Sequence, residues 1–266
     1  MNRIVERFQR LKSSGAKGFV AYIGAGDPCL KITEQLAEAF DKAGVDVLEL
    51  GVPFSDPLAD GLVNQLASQR GLQSGTTPRG VLEAVASLRT RSQIPIVLYL
   101  YYNLLHRYGL ERFICDAASA GVDGLLVLDL PPEEAGTYES LMKQAGLCNI
   151  YLVAPTTPES RMEFIVKRGQ GFIYYISREG VTGMQNTVAG SIHGMLDRIR
   201  AFTGLPIAVG FGISSPEQAK AVAQHADAVV VGSAIVHQIA LHGAAPDLVE
   251  KVANFVKTLV QATKGT

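Results

Sequence analysis

Two carboxylates are placed where acid–base chemistry could be done. Glu49 lies near the end of the apolar run Val45-Asp46-Val47-Leu48-Glu49-Leu50, in the same alternating phase as Val45 and Val47. In a strand, that phase puts its carboxylate on the face that the valines bury. Among apolar neighbours, desolvation raises a carboxyl pKa toward neutrality and suits it to shuttling a proton. A structural ion pair is the competing role. Asp60 sits in the loop that follows, Pro53-Phe54-Ser55-Asp56-Pro57-Leu58-Ala59-Asp60-Gly61. Long loops after strands often carry function. Asp-Gly is also a common turn, and Asp60 could cap a helix starting near Leu62. Asp56, before a proline, reads as an Asx-turn residue, and Asp129, before Leu130-Pro131-Pro132, as a helix-start or support residue.

Two glycine-bearing segments suggest an anion site: Gly210-Phe211-Gly212-Ile213-Ser214 and Gly232-Ser233-Ala234. Glycine lets backbone approach a ligand closely, and N–H groups at a helix start favour negative charge. Ser233 adds a hydroxyl donor. The polar segment Ser177 to Asn186 is long enough to close over a ligand, although a plain solvated connection fits equally. Tyr101, Tyr102 and Asn103 follow one apolar run, and Tyr174 and Tyr175 lie in another. Such tyrosines more often form core or wall than do chemistry. Walls made of Phe211, Tyr174 and leucines would nonetheless suit a planar aromatic ligand.

Elements that could position these residues recur along the chain. About eight short apolar, β-branched runs alternate with helical patterns. They are Gly18–Ile23, Val45–Leu50, Ile94–Tyr99, Gly124–Leu128, Ile150–Val153, Phe172–Ile176, Pro206–Val209 and Ala228–Val231. Runs without polar alternation suit strands buried on both faces of a parallel sheet. Ser215-Pro216-Glu217-Gln218 reads as a capping box. Ala-Gly-Val-Asp occurs at Ala43–Asp46 and again at Ala120–Asp123, each time as a helix end that runs into a strand. No G-x-G-x-x-G follows the first strand, which disfavours the open dinucleotide-binding sheet. The expected fold is a single (β/α)8 TIM barrel over residues 1–266, with an extra N-terminal helix. In such a barrel the active site lies at the carboxyl ends of the strands, often with a phosphate between the loops after strands seven and eight.

Bulk composition narrows the function. With 266 residues, 47% of them hydrophobic and 18% charged, the chain can bury a large core and does not read as disordered. A net charge of −1 gives no footprint for nucleic acid or anionic membrane. Three cysteines (Cys29, Cys115, Cys148) without C-x-x-C, and five histidines without ligand spacing, argue for a reducing compartment and against zinc. The N-terminal segment lacks the apolar centre of a signal peptide, and the longest apolar stretch, Ile94 to Leu105, is too short and interrupted to span a bilayer. A cytoplasmic location is expected.

Leu48-Glu49-Leu50-Gly51-Val52-Pro53-Phe54-Ser55-Asp56-Pro57-Leu58-Ala59-Asp60-Gly61 resembles the signature of the tryptophan synthase alpha subunit family. The resemblance runs on through Ala25–Pro28, Tyr101–Asn103, Gly121–Gly124, Asp129–Pro131, Tyr174–Arg178 with Gly180–Gly183, and Gly210–Ser214, in order along the whole chain. It implies a lyase that splits indole-3-glycerol phosphate into indole and glyceraldehyde 3-phosphate. Glu49 matches the family's general acid–base and Asp60 its second carboxylate. Gly183, Gly212, Gly232 and Ser233 match phosphate positions. Tyr101, Tyr174 and Phe211 match indole-pocket walls, and Thr182 a lid threonine. No cofactor or metal is implied in this chain. Pyridoxal phosphate belongs to the expected beta-subunit partner, in an alpha2beta2 tetramer. Leu62-Val63-Asn64-Gln65 and Leu104 depart from the family pattern, which often has proline at the first and last of these five positions. The departures bear on loop rigidity and the fit of the ring. Two rival readings are another phosphate-binding barrel and a catalytically weak chain that mainly activates a beta-type pyridoxal phosphate enzyme. An indoleglycerol-phosphate synthase would want a lysine at a strand end, and none of the eight runs ends in one.

Overall fold

The computed structural model describes residues 1–176, 185–210, 212–243 and 245–265, with the backbone alone for 185–192. Its strands are β1 (Gly18–Gly24), β2 (Val47–Gly51), β3 (Ile96–Leu100), β4 (Gly124–Val127), β5 (Cys148–Asn149), β6 (Tyr151–Val153), β7 (Ile173–Ile176), β8 (Ile207–Gly210) and β9 (Ala228–Val231). All pairings are parallel, in the order β5-β4-β3-β2-β1-β9-β8-β7-β6. The two outermost members, β5 and β6, are separated only by Ile150. They are halves of one stave, so the sheet closes on itself as a barrel. The expected start of this stave at Ile150 is two residues late, because Asn149 interrupts the apolar run while its backbone still pairs with β4. Likewise β2 begins at Val47, and Val45 packs in the outer layer instead.

Side-chain parity divides the core. Val20, Val47, Val97, Leu126, Ile150, Phe172, Ala208 and Ala228 point into the barrel. Phe19, Leu48, Leu50, Leu98, Val209 and Val229 point outward, against helices that contribute Phe40, Phe113 and Val256. The extra N-terminal helix, Arg3–Ser14, is present, capped by Asn2. It joins the inner layer from below through Ile4, Phe8 and Leu11, and the rings of Phe8 and Phe172 lie 5.4 Å apart.

The repeated Ala-Gly-Val-Asp has a second role at that lower end. Asp46 accepts the Phe19 N–H at 2.9 Å and pairs with Arg7 and Lys264. Asp123 accepts the Ile96 N–H at 2.8 Å and pairs with Arg3 and Arg89. Each buried aspartate thus joins a strand start to the helix that plugs the base. Two helices, Leu62–Gln73 and Pro78–Leu88, connect β2 to β3. The first lies over the barrel mouth, where Val63 and Ala67 pack on Tyr22 and Tyr99. Arg70 fixes it with two 2.7 Å bonds to Asp27, in the loop after β1.

Candidate active site

Glu49 follows the parity of β2. Leu48 and Leu50 face outward, Val47 inward, and Glu49 therefore projects into the barrel near its carboxyl-end mouth. It is 0% exposed, and neither carboxylate oxygen has a hydrogen-bond partner among the described residues. Burial with no compensating charge pushes its carboxyl up to about 8. Among the described residues no arginine or lysine pairs with it, so the ion-pair role finds no support there.

Asp60 does not cap the following helix. The N-cap of Leu62–Gln73 is Gly61, and it has no side-chain cap bond. The Asp60 carboxylate accepts instead from two phenols: Tyr99 to Oδ1 at 2.9 Å and Tyr101 to Oδ2 at 2.7 Å. Ala59 N–H in turn donates to the Tyr101 hydroxyl at 3.0 Å, and Phe54 stacks on the Tyr101 ring at 5.0 Å. The loop is thereby drawn down over the mouth. Burial, together with the Asp60 charge, raises the pKa of Tyr99 and of Tyr101, so both stay protonated donors.

Tyr22 lies between the two carboxylates. It is paired with Glu49 in the β1–β2 register, and its ring meets Tyr99 edge-on at 5.0 Å. Burial, then the charges of Asp60 and Glu49, raise its pKa well above the ordinary phenol value. Tyr174 stands near Glu49 from the other side and is raised by burial and that same charge. Glycines make room for these rings. A Cβ on Gly51 would meet the Tyr22 hydroxyl at 2.3 Å, and one on Gly210 would meet that of Tyr174 at 2.7 Å. A small cavity beside them is lined by Tyr22, Gly51, Pro53, Asp60, Tyr99 and Tyr101.

On the far rim, Gly212 has φ +61° and Gly232 is the N-cap of the helix Ser233–His242, with no side-chain cap bond among the described residues. Ser233 is exposed at its first turn. A backbone-lined helix start after the last strand is a fit for a phosphate. Thr182, Gly183 and Phe211 lie outside the described residues, as does the segment 177–184; Gln185 and Asn186, expected in the lid, open the helix Gln185–Arg200.

Other expectations resolve individually. Asp129 is a helix-start residue, but for the helix Tyr102–Tyr108: it accepts the Tyr102 N–H at 2.6 Å. Asp56 accepts the Ser55 hydroxyl at 2.6 Å, and only its backbone oxygen takes part in the loop turn to Leu58. Asn64 places Oδ1 in a buried position without a partner among the described residues. Leu62 is exposed, and Leu104 packs on the outer core. Sequence reading missed Tyr22, Tyr99 and the Asp27–Arg70 bridge. Tyr22 follows Val20, and Tyr99 follows Val97, in the inward phase that marked Glu49, so the same signal was available for both.

The family described as tryptophan synthase alpha chain matches residues 8–264. The tryptophan synthase alpha chain of Geobacter sp. (strain M21) is 49% identical over 98% of this chain and 97% of its own length. That of Opitutus terrae is 48% identical over 99% and 100%. Among solved structures, tryptophan synthase subunit alpha from Legionella pneumophila str. Paris superposes with a TM-score of 0.92 at 37% identity, covering 100% of each chain. Tryptophan synthase from M. tuberculosis, in its aminoacrylate-bound form, gives 0.88 at 28% identity over 99% of this chain and 100% of that one. Sequence and fold agree from one end to the other, and the chain belongs to the tryptophan synthase alpha chain family of lyases, which cleave indole-3-glycerol phosphate.

Proposed function

We propose that Glu49 and Asp60 carry the retro-aldol cleavage of indole-3-glycerol phosphate, and that the whole chain works as one barrel unit in the cytoplasm. The observation that supports this most is a fully buried, unpaired Glu49 whose carboxyl is pushed up to about 8. At neutral pH such a group holds a proton that it can give away.

The chemistry needs that proton first. Glu49 gives it to indole C3, and the ring becomes an indoleninium able to accept the electrons of the bond to be broken. The carboxylate left behind takes the proton of the side-chain hydroxyl adjacent to C3. That oxygen becomes the aldehyde of glyceraldehyde 3-phosphate, the carbon–carbon bond breaks, and indole is restored. Glu49 ends protonated as it began, so one residue serves as acid and then base. Positive charge builds up at the ring nitrogen in between. Asp60, held by Tyr99 and Tyr101, offers fixed negative charge to that N–H. Tyr22, Tyr99, Tyr101 and Tyr174, with Phe211, form the slot for the ring. Gly212, Gly232 and Ser233, with Gly183, hold the phosphate, and Thr182 belongs to the closing segment. These tasks ask for proton transfer and placed charge, which the side chains named here supply.

Indole then passes to a beta-subunit partner that carries pyridoxal phosphate, in an alpha2beta2 assembly. The loop bearing Asp60 also bears Leu58, 92% exposed, next to exposed Leu62 and Leu66 on the following helix. An apolar group of this kind beside the site suits a protein contact that senses the loop.

The deciding experiment is turnover of indole-3-glycerol phosphate by Glu49→Gln and Asp60→Asn, with indole release as the readout and circular dichroism as the fold control. Losses of at least about a hundredfold are expected in each. Near-normal release from either variant rejects its assignment.

A further inference from the structure

We propose that Tyr99 is a positioning residue for this reaction: its hydroxyl, carried on a barrel stave, fixes the direction of the Asp60 carboxylate on the loop. The inference rests on the reading of Asp60 as the acceptor for the ring N–H.

Asp60 belongs to an exposed stretch. Ser55, Asp56, Leu58 and Ala59 are all open to solvent, and the residue after Asp60 is an exposed glycine. A carboxylate there has many orientations, and electrostatic help to a transition state depends on the charge being placed beforehand. Tyr99, in contrast, is held hard. It is an inward residue of β3, paired with Gly51 in the β2–β3 register. Its ring is wedged edge-on against Tyr22 and packed with Val63, Ala67 and Val236. From that fixed base its hydroxyl donates to Oδ1 of Asp60 at 2.9 Å.

Tyr101 contacts the other oxygen from a different footing. Its hydroxyl also accepts from Ala59 N–H, so it secures the loop backbone as well as the carboxylate. Tyr99 has no such second duty among the described bonds. One phenol leaves a carboxylate free to pivot about a single bond; two, on opposite oxygens, set its plane. A carboxylate offers about four lone-pair directions. Two are taken by the phenols, and the others remain for a ring N–H. Tyr22 then links the clamp to the acid. It is paired with Glu49 in the β1–β2 register and touches the Tyr99 ring. Proton donor and anion are thus referenced to neighbouring staves.

The test is a double-mutant cycle on the full chain. Tyr99→Phe keeps the ring and its packing and removes only the donor. It is expected to lower kcat for indole-3-glycerol phosphate cleavage about tenfold with KM changed less than twofold, and to weaken binding of free indole, titrated by calorimetry, about threefold. In the Asp60→Asn background the same change should do nothing further to either quantity. Tyr99→Leu, which also loses packing, serves as the comparison for purely structural damage and should lower the melting temperature while Tyr99→Phe hardly does. Equal kcat in Tyr99→Phe and the parent chain overturns the proposal, as does an undiminished effect in the Asp60→Asn background. If Asp60→Asn itself turns over normally, the reading of Asp60 falls, and Tyr99 has nothing to act through.

Discussion

Tyr22 and Glu49 stand opposite one another in the parallel register of β1 and β2, so a buried phenol ring lies against a fully buried acid with no hydrogen-bond partner among the described residues. The acid is kept protonated by its surroundings, not by a hydrogen bond to a neighbour, and pH should therefore expose it.

With its carboxyl pushed up to about 8 by burial, Glu49 holds a proton in the folded chain that an ordinary carboxyl, near 4.5, releases when unfolded. The folded state binds more protons between those values, so stability falls as pH rises through that window and levels off above it. Each pH unit inside the window removes up to about 1.4 kcal/mol. Glu49→Gln cannot titrate. Melting curves from pH 5 to 9 should show the variant gaining on the parent chain as pH rises. In the parent, kcat/KM for cleavage should fall about tenfold per unit above pH 8, as the proton donor is lost. A flat difference in melting temperature across that range would contradict the buried-acid picture.

Ser233→Asp separates the phosphate cradle from the helix it starts. A carboxylate in the first turn suits the helix dipole and should leave stability level or raise it by about 0.3–1 kcal/mol. The same charge repels a phosphate. KM should rise at least tenfold, with kcat changed far less, as steady-state kinetics with indole release will show.

Gly51 has its place because Tyr22 needs the space. A methyl group there meets the Tyr22 hydroxyl at 2.3 Å and the ring beneath it at 2.8 Å. Gly51→Ala should cost about 1–3 kcal/mol, as overpacking does, and should weaken indole binding. Adding Tyr22→Phe removes the nearer clash and should restore part of both, measured by urea unfolding and calorimetric titration. No recovery would mean that the strain lies elsewhere.

Asp123 should matter to stability alone. It is 2% exposed and satisfies Ile96 N–H, Arg3 and Arg89 together. Asp123→Asn leaves the half-buried Arg89 guanidinium without its counter-ion and should cost about 2–4 kcal/mol in urea unfolding. Below the new midpoint kcat should be unchanged, because the residue is at the base of the barrel and the chemistry is at the mouth.

The sequence was most readable where one rule decides. Alternation pointed Glu49 inward, and Gly232-Ser233 was recognisable as a helix start after the last strand. What stayed hidden depends on register and on distant partners. Asp60 has the same local sequence whether it caps a helix or meets two tyrosines, and only the distance to β3 and its end decides between them. Tyr22 and Tyr99 lie within apolar runs, where a tyrosine reads as core, while the pocket reaches down between the staves. Ala-Gly-Val-Asp was legible as a helix end, but the reason for its aspartate lies in Arg3 and Arg7, over a hundred residues from Asp123 in one case. Asn149 hid the start of the split stave because a polar side chain says little about a backbone already committed to pairing.

The helix Arg3–Ser14, with Ile4, Phe8 and Leu11 pressed up into the staves, turns the barrel into a blind-ended cup. Among the described residues, the carboxyl-end mouth is the side left for arrival and departure. A partner resting on the rim beside exposed Leu58, as proposed above, would therefore bear on both the filling of the cup and its emptying.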